Sequence, residues 1–295
     1  MKIGAHVSTA GGISNAVARG QEIGCEAIQI FGSSPQTWAF KPVPEEQIEL
    51  FKQGLVDTGI GPVFLHAIYL INLGTPNKEN LQKAIDSLIK YMNLAADIGA
   101  SGVIVHPGSH GGNGFEEVLR QVAEAVKIVL DASPDESVLA LENMAGMGRH
   151  IGARFDELGD ILEAVDSPRL KICLDTQHSL AAGYDLTNPE GIQAMLEELD
   201  AGPGCANVAA VHANDSKRAC GSGVDRHENI GDGFIGEEGF ATIMGNPVFA
   251  DVPFFLEVPG FDGQGPDQKN VEILKKIREK VSLPDCWKVN FLNRS

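Results

Sequence analysis

The chain has little of what would commit it to a membrane, a disulfide framework or a polyanion. No apolar run approaches the ~20 residues that a membrane span requires. The opening MKIGAHVSTAGG lacks the long apolar stretch of a signal peptide and reads as a strand and a loop. Five cysteines (Cys25, Cys173, Cys205, Cys220 and Cys286) are scattered, odd in number and without a C-x-x-C pair. That pattern speaks against a disulfide framework and for a reducing, cytoplasmic setting. Basic residues are scarce beside acidic ones, 23 against 40, for a formal net charge of −17. Taken alone, this argues against nucleic acid, because Lys and Arg drive phosphate binding. No linker or low-complexity segment interrupts the 295 residues, so the expectation is one domain over 1–295.

What is present is a repeated unit. Short apolar, often β-branched runs recur at Ile3–Val7, Ala27–Phe31, Pro62–His66, Gly102–His106, Val138–Glu142, Leu170–Asp175, Val208–His212 and Val252–Glu257. They read as parallel strands buried on both faces. Amphipathic stretches alternate with them: Asn15–Ile23, Glu45–Thr58, Lys78–Ile98, Phe115–Leu130, Phe155–Ala164, Pro189–Leu199, Gly236–Met244 and Pro266–Lys280. Eight strand–helix alternations predict an α/β fold, a single-domain (β/α)8 TIM barrel, with a doubly wound open sheet as the competitor.

Six strand-like runs end in a metal-type ligand: His66, His106, Glu142, Asp175, His212 and Glu257. A single His at a strand end is ordinarily a hydrogen-bonded wall residue. Six ionisable groups converging on one barrel mouth would repel or suffer desolvation unless a cation neutralised them. His178 follows Asp175 by three residues, and Asp225 and His227 form D-R-H, which sets both on one side of an extended segment. His, Asp and Glu without Cys suit zinc or manganese. Nine ligands exceed what two four- or five-coordinate ions with open positions take, so three divalent ions are expected.

These residues lie in long motifs: IGAHVS at the start, YLINLG (Tyr69–Gly74), HPGSH (His106–His110), LENMAG (Leu141–Gly146), LDTQHSLAAGYD (Leu174–Asp185), HANDSK (His212–Lys217) and GSGVDRHENIGDGFIG (Gly221–Gly236). In these motifs, and over nearly its full length, the chain resembles the endonuclease IV family of apurinic/apyrimidinic endonucleases. The resemblance implies three ions, zinc first and manganese as the alternative at one site. His66, His106 and Glu142 match the ligands of one; Glu142, Asp175, His212 and Glu257 those of a second, with Glu142 bridging; His178, Asp225 and His227 those of the third. The implied reaction is hydrolysis of double-stranded DNA on the 5′ side of abasic sites, leaving a 3′-hydroxyl and a 5′-deoxyribose phosphate, with trimming of blocked 3′ ends. Glu142, Glu257 and His178 are the expected catalytic set: Glu142 spaces two ions, Glu257 orients or deprotonates the nucleophile, and His178 helps hold the ion at the leaving oxygen. The family acts alone, so a monomer is expected, with no membrane partner and association with the nucleoid when acting.

The family also flips out the abasic nucleotide behind inserted side chains. Tyr69 and Leu70 resemble that wedge, against the plainer reading that YLINL plugs the barrel mouth. The loop after the second strand departs from the family pattern. Gln36 stands where many members carry Arg, Ser34 lies near an Asn position, and only Trp38 persists, so a guanidinium plane and charge are missing there. Lys217, Arg218 and Arg226 are expected phosphate contacts, or else solvated charges. His6 and His110 sit in family motifs without ligand roles, and are expected to contact phosphate or to support the metal ligands from behind, against plain structural hydrogen bonding; His150 reads as a surface residue. The competing functions are a metal-dependent sugar isomerase or epimerase on the same barrel, and a damage-binding protein whose metals are structural.

Overall fold

Helix α3 (Lys78–Ile98) shows how the outer layer is specified. Ala84, Ile85, Leu88, Met92, Ala95 and Ile98 recur at helical spacing and are all buried. Asn77 caps its start by accepting from the Asn80 amide at 3.0 Å, and Gly99 ends it in the left-handed region. The computed structural model describes residues 1–281; Cys286 and the end of the expected 1–295 domain lie outside the described residues. Helices α1 (Asn15–Glu22), α2 (Glu45–Thr58), α4 (Phe115–Asp131), α5 (Phe155–Val165), α7 (Pro189–Ala201), α8 (Gly236–Met244) and α9 (Gln268–Lys280) complete the ring around the sheet.

The strands are β1 (Ile3–His6), β2 (Ala27–Phe31), β3 (Val63–His66), β4 (Gly102–Val105), β5 (Val138–Glu142), β6 (Leu170–Asp175), β7 (Val208–His212) and β10 (Phe254–Leu256). They pair in parallel, each with its neighbour in this order, and β10 closes on β1 through Ile3↔Phe254, Gly4↔Phe255 and Ala5↔Leu256. This is the closed barrel expected from sequence, not the open doubly wound sheet. Its strands are a little shorter than the apolar runs, so His106 and Glu257 each fall one residue past a strand end.

Alternation along each strand sets two populations. One row, including Ile3, Ile28, Leu65, Val103, Leu141, Leu174, Val211 and Leu256, packs outward against the helices. The other fills the barrel with a separate small core of Ala27, Phe64, Ile104, Ala140, Cys173, Ala210 and Phe255. Gly4 holds the matching place on β1, where a Cβ would meet the Ala27 carbonyl oxygen at 2.0 Å. Two residues further along every strand stand, in barrel order, His6, Gln29, His66, His106, Glu142, Asp175, His212 and Glu257. Because strand side chains repeat every second residue, this layer faces the axis directly above the apolar plug.

Two elements at the mouth stand outside the eight strand–helix alternations read from sequence, which puts His178, Asp225 and His227 on loops after the sixth and seventh strands. His178 lies not on a loop but in the first turn of a short helix, α6 (Thr176–Ala182), which leaves β6 without a connecting segment. The cap of that helix is Asp175 itself, whose Oδ1 accepts from the His178 amide at 2.7 Å. After β7 the chain forms a small antiparallel hairpin, β8 (Asp215–Ser216) with β9 (His227–Glu228), which folds Asp225 and His227 back over the mouth.

Candidate metal centre at the barrel mouth

The imidazoles are fixed by what their outer nitrogens do. His66 Nδ1 donates to the Ala67 carbonyl at 2.7 Å, His178 Nδ1 to the Asn143 carbonyl at 2.8 Å, and His227 Nδ1 to the Glu257 carbonyl at 3.1 Å. His212 Nε2 donates to Gln29 Oε1 at 2.7 Å. In each neutral ring the second nitrogen is then a lone pair, and each points at carboxylate oxygens. His66 Nε2 and His106 Nε2 lie 3.2 and 3.1 Å from Glu142 Oε2, while His212 Nδ1 lies 3.0 Å from Glu142 Oε1. Lone pairs facing carboxylates across about 3 Å are repulsive unless a proton or a metal ion lies between them.

Glu142 divides the site. Its two oxygens face different sets of imidazoles, the disposition a bridging carboxylate needs. Three groups of donor atoms each gather within 4.8 Å: His66, His106 and Glu142; Glu142, Asp175, His212 and Glu257; and Asp175, His178 and His227. The first two are the sets expected from sequence. The third adds Asp175, reaching in from the α6 cap, to His178 and His227 of the expected set. Asp225 still joins the cluster, with Oδ2 at 3.4 Å from His178 Nε2 and Oδ1 at 3.2 Å from His227 Nε2. Its approach to both rings agrees with the one-sided D-R-H reading.

The fit to cations rests on the two rings that Asp225 faces. His178 Nε2 and His227 Nε2 are buried without a hydrogen-bond partner. Burial opposes charge throughout the cluster, yet opposite charges prevail. His212 and His106 hold the Glu142 carboxyl well below the usual carboxylate range, and Asp225 with Asp175 raises His227 to about 9. Among the described residues, the imidazoles are the counter-charges that the chain itself sets against these carboxylates. A divalent ion between the same atoms neutralises the acids and uses the lone pairs, so the donor set fits His/carboxylate ligation.

Behind the ligands lie residues that sequence reasoning passed over. Gln29 is fully buried; its amide donates to Glu257 Oε1 at 2.6 Å and to His6 Nδ1 at 3.0 Å, while its carbonyl fixes His212. His6 is thereby a supporting residue at the rim of the cluster. Asn214 donates to Asp175 Oδ2 at 2.7 Å and accepts from the Glu257 amide at 2.8 Å. The signal for Gln29 was available: an amide in the middle of the apolar strand AIQIF, two residues beyond the plug residue Ala27. His110 serves its own turn, its Nδ1 accepting from the Gly112 and Gly114 amides. His150 is not a free surface residue. It bridges to Ser109, and its Nδ1 is buried and unpartnered.

The expected substrate contacts divide. Tyr69 and Leu70 are exposed, and the Tyr69 ring stands 5.7 and 5.9 Å from the His66 and His106 rings, at the lip of the cluster. The Tyr69 amide donates to the Pro35 carbonyl at 3.1 Å, so the Gln36 loop abuts the Tyr69–Leu70 segment. Gln36 is exposed, whereas Trp38 is partly buried against the core. Lys217 and Arg226 are exposed on the hairpin, with Lys217 Nζ 3.8 Å from Glu228 and Arg226 donating to the Asp225 carbonyl.

A family model described as xylose isomerase-like TIM barrel matches residues 17–280. A "Probable endonuclease 4" of Halothermothrix orenii is 39% identical over 277 residues, covering 94% of this chain and 100% of the relative. Its counterpart in Natronomonas pharaonis is 39% identical over 279 residues, covering 95% and 98%. The crystal structure of endonuclease IV from Thermus thermophilus superposes with a TM-score of 0.84 at 35% identity, covering 95% of this chain and 100% of that one. A D-tagatose 3-epimerase-like protein reaches a TM-score of 0.75 at 20% identity, a likeness of fold.

Proposed function

The chain belongs to the endonuclease IV family, and from that premise we propose that it is a metal-dependent DNA-repair endonuclease that hydrolyses the phosphodiester 5′ to an abasic site. It leaves a 3′-hydroxyl and a 5′-deoxyribose phosphate, and trims blocked 3′ ends by the same chemistry. The observation that carries this reading is the third donor group. Asp175, His178 and His227, with Asp225 against both imidazoles, stand beside the pair of groups that Glu142 joins. Three adjoining sites suit a reaction that must activate water, neutralise a phosphodiester and stabilise a leaving oxygen.

Three divalent ions, zinc by donor chemistry, supply Lewis acidity and lower the pKa of water towards about 7 when bound. The residues do the rest. Glu142 fixes the spacing of the first two sites through its two oxygens. Gln29 tethers Glu257 by one oxygen and leaves the other, 3.4 Å from His212, facing the reacting centre, where it orients the nucleophilic water. His178 holds the leaving-group side, its ring locked by the Asn143 carbonyl. Tyr69 and Leu70 wedge the duplex beside the flipped abasic sugar. The protein acts as a monomer.

The test is incision of a duplex carrying a tetrahydrofuran abasic analogue, alongside metal analysis. The expected result is cutting 5′ to the analogue, three ions per chain, and loss of at least about 100-fold in kcat for His178→Ala. Intact duplex after incubation with folded, metal-replete protein would sink the assignment. One ion per chain together with turnover of a ketose would instead favour a sugar isomerase or epimerase.

A further inference from the structure

We propose that Phe234 is a second DNA-gripping side chain, placed across the metal centre from the Tyr69–Leu70 wedge and held there by the buried carboxylate of Asp215. The proposal rests on the repair reading and names the contact on the far flank of the damaged site. In the eight-strand order β3 and β7 lie opposite one another. Tyr69 and Leu70 follow β3, and Phe234 lies on the loop bonded to the hairpin after β7, its amide donating to the Ser216 carbonyl at 2.9 Å, so the two exposed apolar groups belong to opposite sides of the barrel mouth. Tyr69 is 56% and Phe234 53% exposed.

A large apolar side chain left in water on a mobile loop would need no explanation, but this loop is pinned. Asp215 is fully buried and accepts from the amides of Gly231, Gly233, Ile235 and Gly236 at 3.0, 3.2, 2.9 and 3.2 Å. Its other neighbour is the Ser216 amide at 2.8 Å. A Cβ at Gly233 would lie 2.3 Å from Asp215 Oδ1, so the wrap requires glycine there. The run Gly231–Gly236 has the G-x-G-x-x-G spacing of a phosphate-binding turn and leads into α8. Its amides are taken by the protein's own carboxylate, so it does not cradle a phosphate. Ile235 is buried beneath it, and Phe234 is the apolar side chain that the turn presents outward.

Charge complementarity identifies what covers Phe234. The chain as a whole is acidic, with a net charge of −17. The adjoining hairpin nevertheless carries three exposed cations, Lys217, Arg218 and Arg226. An apolar, planar group beside these three exposed cations, whose balancing acids are the buried Asp215, Asp225 at the metal centre and Glu228 beside Lys217, matches the sugar and base edges of a bent duplex next to its phosphates. With so few cations, and with Gln36 lacking a guanidinium, apolar contact on both flanks supplies affinity that salt does not screen.

The test is steady-state incision of the tetrahydrofuran duplex over a range of salt concentrations, with metal content and melting temperature measured for each variant. Phe234→Ala is expected to raise KM about tenfold at nearly constant kcat, with three ions retained and an unchanged slope of log(kcat/KM) against log salt. Phe234→Trp restores KM, and Arg226→Ala lowers that slope by about 1. Incision by the wild type with KM of Phe234→Ala within about twofold overturns the role of Phe234 alone. Loss of metal in Phe234→Ala overturns it also, as a structural role. No incision by the wild type overturns the repair reading and this inference with it.

Discussion

At the residue scale the site is a set of carboxylates faced by imidazoles whose ring orientations are fixed. Each of His66, His178, His212 and His227 has one nitrogen tied to a neutral acceptor, which leaves the other free to ligate. Three of those acceptors are backbone carbonyls that no substitution removes. The fourth is the side chain of Gln29, which also tethers Glu257. Gln29→Leu is nearly isosteric and keeps the strand buried, but it frees the His212 tautomer and one Glu257 oxygen together. Changes to such supporting partners typically weaken metal affinity or activity about 10- to 100-fold. Gln29→Leu is therefore expected to lose activity in that range and to recover part of it when the ion concentration is raised. Unchanged activity and unchanged metal retention on dialysis would show that the carbonyl of Gln29 does not set the ring.

At the element scale, three elements beyond the strands complete the centre. The first turn of α6 places His178, the β8–β9 hairpin places Asp225 and His227, and the loop before α8 locks that hairpin through Asp215. Asp215→Asn turns an amide group toward backbone N–H donors and leaves some of them unsatisfied, at about 1–3 kcal/mol. The expected outcome is selective: of the three proposed ions, metal analysis loses the one at the hairpin, while the circular dichroism of the barrel is kept. Retention of three tightly held ions would show that the hairpin stands without its anchor. The contrast between strands and these elements explains what the sequence disclosed. The six strand-end donor groups were legible as candidates because an ionisable group interrupting an apolar run has no ordinary reason to be there. The barrel was legible because eight such runs alternated with helical periods. His6 and Gln29 belong to the same layer by the two-residue step, but one lacks an obvious apolar plug beneath it and the other carries no charge. Helix α6 was hidden because TQHSLAA is short and polar at its start, and its cap is a residue already assigned to the metal. The dual part of Asp175, cap and donor, arises from that adjacency of strand and helix. Asp215 was hidden because a polar N-D-S run reads as an exposed loop, whereas its burial depends on glycines that follow it by 16 to 21 residues.

At the scale of the whole molecule, the barrel must close between its first strands and α9, far apart in sequence. The clasp is Glu26. Its carboxylate accepts from the β1 amide of Ile3 at 3.0 Å and from both terminal nitrogens of Arg278 on α9, at 2.5 and 2.9 Å. Arg278 also reaches the Met1 carbonyl, and Lys275 Nζ stands 3.7 Å from the same carboxylate. Burial pushes the Glu26 carboxyl up, but the Arg278 hydrogen bonds and the Ile3 amide outweigh it and hold it at about 2, against an ordinary 4.5. A carboxyl whose folded pKa is depressed stabilises the fold fully above its unfolded value, and that contribution fades as pH falls through the folded one. The window is therefore from about 4.5 down to about 2. Because the pair is partly open to solvent, the stabilisation is set at about 1–3 kcal/mol rather than at the full value of the shift. Glu26→Gln is expected to be less stable than the wild type by that amount at pH 7 in urea unfolding. The gap should narrow steadily below pH ~4.5 and approach zero near pH 2. The comparison isolates the clasp, since any loss of metal in acid affects both proteins alike. A gap independent of pH would mean that Glu26 acts by packing and that the barrel closes without its charge.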